Sequence, residues 1–124
     1  MMNAEEYLEQ VKNIDLRIRS LEGELRDSQA EEDTEYAEEL RDRIAASIRT
    51  YKELKLRIRD EIQQIKDNRL STLLTEFYIR GKSWEDVTAA LGMRSVKNVR
   101  EGLHKKALEA FEKKFQKNFQ NTTS

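Results

Sequence analysis

The chain has 124 residues, 38% of them charged, with neither cysteine nor proline; this is one domain, or a small domain with an appended helical arm. Disulfides and thiolate metal sites are excluded, long uninterrupted helices are favoured, and the lack of a leader or an apolar run of membrane length predicts a cytoplasmic location. The net charge of −1 hides a division: residues 1–65 carry 11 basic and 17 acidic side chains, residues 66–124 carry 12 and 7, so only the second half should attract a polyanion.

From Asn3 to about Asp27, apolar residues fall at Tyr7, Val11, Ile14, Ile18, Leu21 and Leu25. Intervals of four and three make a heptad seam between charged flanks. Such a narrow stripe suits a helix packed on one or two others, within the chain or in a second subunit. The acidic run DSQAEEDTEYAEE, Asp27 to Glu39, breaks that seam. Continuing the register would bury Glu32, Glu35 and Glu39, which a dry interface does not tolerate. A turn is therefore expected between Ala30 and Thr34, with Asp33 or Thr34 capping the next helix; one long helix frayed at this point is the alternative. From about Glu35 to Lys66 a second stripe runs through Leu40, Ile44, Ile48, Tyr51, Leu54, Ile58, Ile62 and Ile65. Folded back on the first helix it gives an antiparallel, coiled-coil-like hairpin. Its greater length would leave seam uncovered, which argues for a homodimer.

Asp67 and Asn68 mark a break. Leu70, Leu73, Leu74, Phe77 and Tyr78 then form one face of a support helix ending at Gly81. Ser83 with Asp86 three residues later is a helix start of capping-box spacing, and Trp84, Val87 and Leu91 supply its buried face. Gly92 ends that helix, because glycine takes the left-handed conformation without penalty. Ser95 is the next candidate N-cap. In the helix that follows, Val96, Val99, Leu103 and Ala107 share a stripe, leaving Lys97, Asn98, Glu101 and Lys105 outward with Arg100 and His104 beside them. Between Arg94 and Lys117 there are eight basic residues against three acids. Two helices joined by a tight turn, the second with a polar and mainly basic outer side, are the layout of a helix-turn-helix that reads double-stranded DNA in the major groove. Further on, Phe111, Phe115 and Phe119 recur at helical spacing as packing residues. Lys113, Lys114 and Lys117 either touch phosphates or are simply solvated, and Asn121 to Ser124 read as a frayed tail.

The fold class is thus all-α: a helical hairpin or oligomerisation arm over residues 1–66, a three-helix helix-turn-helix domain over 67–120, and a tail over 121–124. Enzymatic chemistry is not expected. The sole histidine, His104, has no cysteine or second histidine to complete a nucleophile–base pair or a zinc site. There is no glycine-rich phosphate loop. No cofactor, metal or small-molecule ligand is called for, and no membrane contact.

The run RGKSWEDVTAALG followed by SVKNVREGLHKKAL resembles region 4 of bacterial sigma factors. More closely, residues from about Ile62 to Phe111 resemble phage and prophage transcriptional regulators of the ArpU and RinA kind. There an aromatic-rich helix ends in a Gly-Lys turn before a Trp-Glu helix, matched here by Phe77, Tyr78, Gly81, Lys82, Trp84 and Glu85. The resemblance implies a sequence-specific transcription regulator, dimeric through its N-terminal helices or in contact with RNA polymerase. The DNA-binding residues expected are Arg94, Ser95, Lys97, Asn98, Arg100, Glu101, His104 and Lys105. Of these, Lys97, Asn98 and Glu101 suit guanine, adenine and cytosine edges respectively, and Arg94, Arg100, His104 and Lys105 suit phosphates. Two other readings compete: a helical adaptor for protein contacts, and a small terminase-like DNA-packaging subunit.

Overall fold

The computed structural model describes residues 2–29 and 34–122, with side chains through Phe115. Among the described residues there are five α-helices: α1 (Ala4–Gln29), α2 (Glu35–Gln63), α3 (Asn68–Leu74), α4 (Trp84–Ala90) and α5 (His104–Thr122). Two π-helical segments join them. Thr75–Ile79 prolongs α3, and Asn98–Leu103 leads a helix that begins at Val96 directly into α5. No strand occurs among the described residues. None of the helices is long and apolar enough to cross a membrane.

The all-α class and the hairpin agree with the sequence reading. Lys55 pairs with Asp15 at 2.8 Å, Tyr7 bonds to Glu61, and Leu21 lies across a groove from Ser47 and Tyr51. Partners that descend on α2 as they ascend on α1 are the signature of antiparallel helices. Along the expected seam, Tyr7, Val11, Ile14 and Ile18 are buried on α1, and Ile44, Ile58 and Ile62 on α2. Thr34 caps α2 by accepting from the Ala37 N–H at 3.1 Å. The turn expected over residues 30–33 lies outside the described residues.

Two expectations need revision. The excess length of α2 is small, 29 residues against 26, and its large exposed side chains, Tyr36 and Leu56, are off the predicted stripe. The surplus of helix length that argued for a dimer is thus three residues, while Leu21, Leu25, Leu40, Ile48 and Tyr51 of the two stripes are only half-buried. The boundary at residue 66 is a break in the helix but not in the packing. One core unites Ala4, Tyr7, Leu8 and Val11 of α1 and Ile58 and Ile62 of α2 with Leu73, Leu74, Tyr78, Val87, Val99, Ala107 and Phe111. The physical reason is area. Leu70, Phe77, Trp84, Leu91 and Leu103 are only partly buried in the C-terminal helices, so those helices close their core against the start of α1. Helix α5 also continues through Thr122, two residues into the expected tail; residues 123 and 124 lie outside the description.

Tyr7 joins the two halves. Its side chain is fully buried, its hydroxyl donates to Glu61 Oε1 on α2, and its ring lies 5.9 Å from that of Phe111 on α5. Burial, reinforced by the bond to Glu61, pushes the phenol well above the ordinary tyrosine range, so it remains a donor. Tyr7→Phe, which keeps the ring and deletes the donor beside a buried carboxylate, is expected to cost about 1–3 kcal/mol. Tyr7→Ala should cost about 3–5 kcal/mol by leaving a cavity. Urea unfolding of the two variants against wild type measures both.

Candidate nucleic-acid interface

Local hydrogen bonds fix the turn between α4 and the Val96 helix. Ser83 caps α4, its Oγ accepting from the Asp86 N–H at 3.2 Å. At the other end Gly92 has φ +68°, the Gly92 N–H donates to Ala89 O, and the Met93 N–H donates to Thr88 O, both at 3.0 Å. These two bonds are the closure of a Schellman motif, which needs a left-handed residue at this position. Three residues on, the Ser95 hydroxyl accepts from the Asn98 N–H at 3.1 Å and its carbonyl from the Val99 N–H at 3.2 Å. Ser95 is therefore committed to the helix start, with its side chain half-buried.

From that start Val99 and Ala107 are fully buried and Val96 and Leu103 half-buried, as their spacing predicts. Arg94, Lys97, Asn98, Arg100, Glu101 and Lys105 are all exposed. Four cations, one acid and one amide are thus exposed along this turn and helix, with Lys97, Asn98 and Glu101 lining one cleft. The single acid is 3.8 Å from Arg100, and an exposed pair of that length does little to hold either side chain. Arg69, in the first turn of α3, and Lys106 line the same cleft. Sequence spacing missed Arg69, which lies 28 positions before Lys97; its only signal was an exposed cation just after the Asp67 cap, whose carboxylate accepts from the Arg69 and Leu70 N–H groups.

His104 does not belong with them. Its backbone N–H donates to Val99 O, five residues back, which is the π-helical pattern. At about 100° per residue in a regular helix, His104 would stand about 140° round from Val99. The wider π turn brings it back toward the Val99 side. The imidazole Nε2 is 2.7 Å from the Tyr78 hydroxyl, and its ring meets Trp84 edge-on at 4.8 Å and Phe77 at 5.8 Å. Phe77 in turn stacks on Trp84 at 3.9 Å and carries the Lys12 ammonium of α1 at 4.1 Å from its centroid. This aromatic cluster underlies the Val96 helix, so His104, Trp84 and the buried Tyr78 are packing groups rather than groups presented to a ligand.

The lysines after Ala107 serve different ends. Lys114 donates to Gln64 O at 3.0 Å, closing the end of α2, which suits a cation at a helix C-terminus. Lys113 is exposed; the Lys117 and Phe119 side chains lie outside the description. Phe111 and Phe115 pack at 4.8 Å, and α5 kinks at Phe115 (φ −118°, ψ 20°).

No protein family, curated protein or solved structure matches this chain.

The aromatic cluster carries a pH signature. Burial is the main cause lowering the His104 pKa below 6.5, Lys12 adding to it and Glu9 opposing it; Tyr78 is raised by burial, then by Glu5 and Glu9. With both groups neutral, a ring protonated at Nδ1 accepts the bond from the phenol. The folded state binds the histidine proton less readily than the unfolded chain does, so this contribution to stability is complete above the ordinary histidine pKa and is lost as pH falls through the lowered value. Wild type should lose stability as pH falls below the ordinary histidine value of 6.5, and His104→Phe should lose distinctly less over the same range. Thermal melts at matched ionic strength measure the difference.

Proposed function

We propose that this chain is a sequence-specific, double-stranded DNA-binding transcriptional regulator of the kind found in phages and prophages, non-enzymatic and cytoplasmic. One observation carries the reading. A helix held by its buried valine stripe, and preceded by a glycine turn closed by two backbone bonds, presents Arg94, Lys97, Asn98, Arg100, Glu101 and Lys105 to solvent. This is what a recognition helix requires: a rigid mount and a polar outer side with excess positive charge.

Roles follow from chemistry. Asn98 and Lys97 suit adenine and guanine edges, and Glu101 suits the cytosine amino group. Arg94, Arg100 and Lys105 neutralise phosphates. Ser95 acts through its cap, which sets the angle of the first turn. A single helix-turn-helix covers one half-site, so a homodimer reading two half-sites about 34 Å apart completes the proposal, with RNA polymerase as a further partner.

A second reading is favoured by a different surface. Leu56 is 58% exposed in a largely apolar groove with Ile79, rimmed by Lys52, Lys55 and Arg59, as a protein-contact adaptor would use.

Fluorescence anisotropy of a labelled mixed-sequence duplex over a salt series separates the two. Wild type should bind with log affinity falling by about 0.9 per phosphate contacted for each decade of salt. The triple variant Lys97→Ala, Asn98→Ala, Arg100→Ala should bind at least about tenfold more weakly while melting at an unchanged temperature. If wild type and variant bind alike, or neither binds at low salt, the adaptor reading replaces this one.

A further inference from the structure

Two helical glycines, Gly23 and Gly102, have neither a left-handed backbone nor a neighbour that excludes a Cβ, and of these Gly102 lines a cationic cleft. Gly81 and Gly92 are required by their φ values of +66° and +68°. Gly102 has no such backbone, and a Cβ built on it would meet nothing within 4 Å. It nevertheless lies inside the Asn98–Leu103 segment, where glycine weakens a helix relative to alanine. Neither conformation nor internal packing excludes a side chain here.

The space in front of it is specific. Gly102 is exposed and lines an open cleft whose walls are Lys97, Asn98, Glu101 and Lys106 from its own helix and Arg69 from α3. Met93 and Leu103 also line it. Among the described residues none of Arg69, Lys97 and Lys106 forms an ion pair. A bare backbone between three unpaired cations, with Glu101 the only acid, suits the close approach of an anionic surface rather than an apolar one.

We infer that Gly102 is the point at which the sugar–phosphate backbone of one DNA strand comes closest to the protein, with a phosphate seated in the cleft between Arg69 and Lys106. This rests on the DNA-binding reading and adds to it a strand-contact site on the flank of the recognition helix. An α-helix with its side chains is about as wide as the major groove, so a flank without a side chain lets the groove wall close in. Asn98 and Glu101, which share the cleft, then face the base edges that this contact brings into register. Arg69 and Lys106 fix position and carry no sequence information.

The test uses the full chain, the same mixed-sequence duplex, and the variants Gly102→Ala and Arg69→Ala. Gly102→Ala should melt a few degrees higher than wild type, since a better helix former fills open space, and yet bind DNA about tenfold more weakly. Arg69→Ala should weaken binding uniformly across sequences and reduce the salt slope by about 1. Binding by Gly102→Ala equal to wild type would overturn the strand contact while leaving the DNA-binding reading intact. A lower melting temperature for Gly102→Ala would assign the glycine to the π-helical turn and overturn it likewise. Failure of wild type to bind any duplex removes both proposals together.

Discussion

A buried phenol holds this molecule together. Tyr7 touches three helices: its own, α2 through the bond to Glu61, and α5 through the ring of Phe111. Full burial of such a ring contributes about 1.5–3 kcal/mol, and the bond to a carboxylate offsets the cost of placing the hydroxyl inside. Glu61 is itself buried, so the phenol's donor hydrogen helps satisfy a carboxylate that water does not reach freely. Around this point Ala4, Leu8 and Val11 on one side and Ile58 and Ile62 on the other seal the underside of the C-terminal helices. The motif that carries the cations is therefore not a free-standing unit with an appendage. It borrows part of its core from residues about a hundred positions earlier in the chain.

The legible parts of this arrangement are those set by local chemistry. Heptad spacing placed Tyr7, Val11, Ile14 and Ile18 inside. Hydroxyl and carboxylate caps at Thr34, Asp67, Ser83 and Ser95 start the helices where short polar side chains can reach free N–H groups. The two left-handed glycines end helices as expected. What escaped the sequence depends on long-range contact. Leu8 is fully buried beside Tyr7 because α1 has neighbours on two sides there, and a pair of adjacent apolar residues was the one available sign of a wider stripe. The π turns left no such sign. A single residue inserted into a helix changes no local preference, but it moved His104 from the outer surface to the aromatic cluster. Of the residues expected to face DNA, His104 is the one whose ring packs into the fold instead.

Glu5 and Glu9 of α1 act on Tyr78 and, in the case of Glu9, on His104, while Lys12 of the same helix lies over Phe77, so carboxylates and a cation of the first helix meet the aromatic cluster beneath the Val96 helix.

The continuity of the core has a mechanical consequence. Only the first eight residues of α1, through Val11, enter the shared core; the remaining 18 residues to Gln29 extend about 27 Å at the rise of a regular helix. Two domains on a flexible tether would turn independently, and a load on one would not reach the other. Here the hairpin is clamped at its base by the contacts that seat the Val96 helix, so it behaves as a lever with that base as its fulcrum. Any partner that grips the distal end fixes the angle at which the cationic surface is presented, with no hinge between them to absorb the torque.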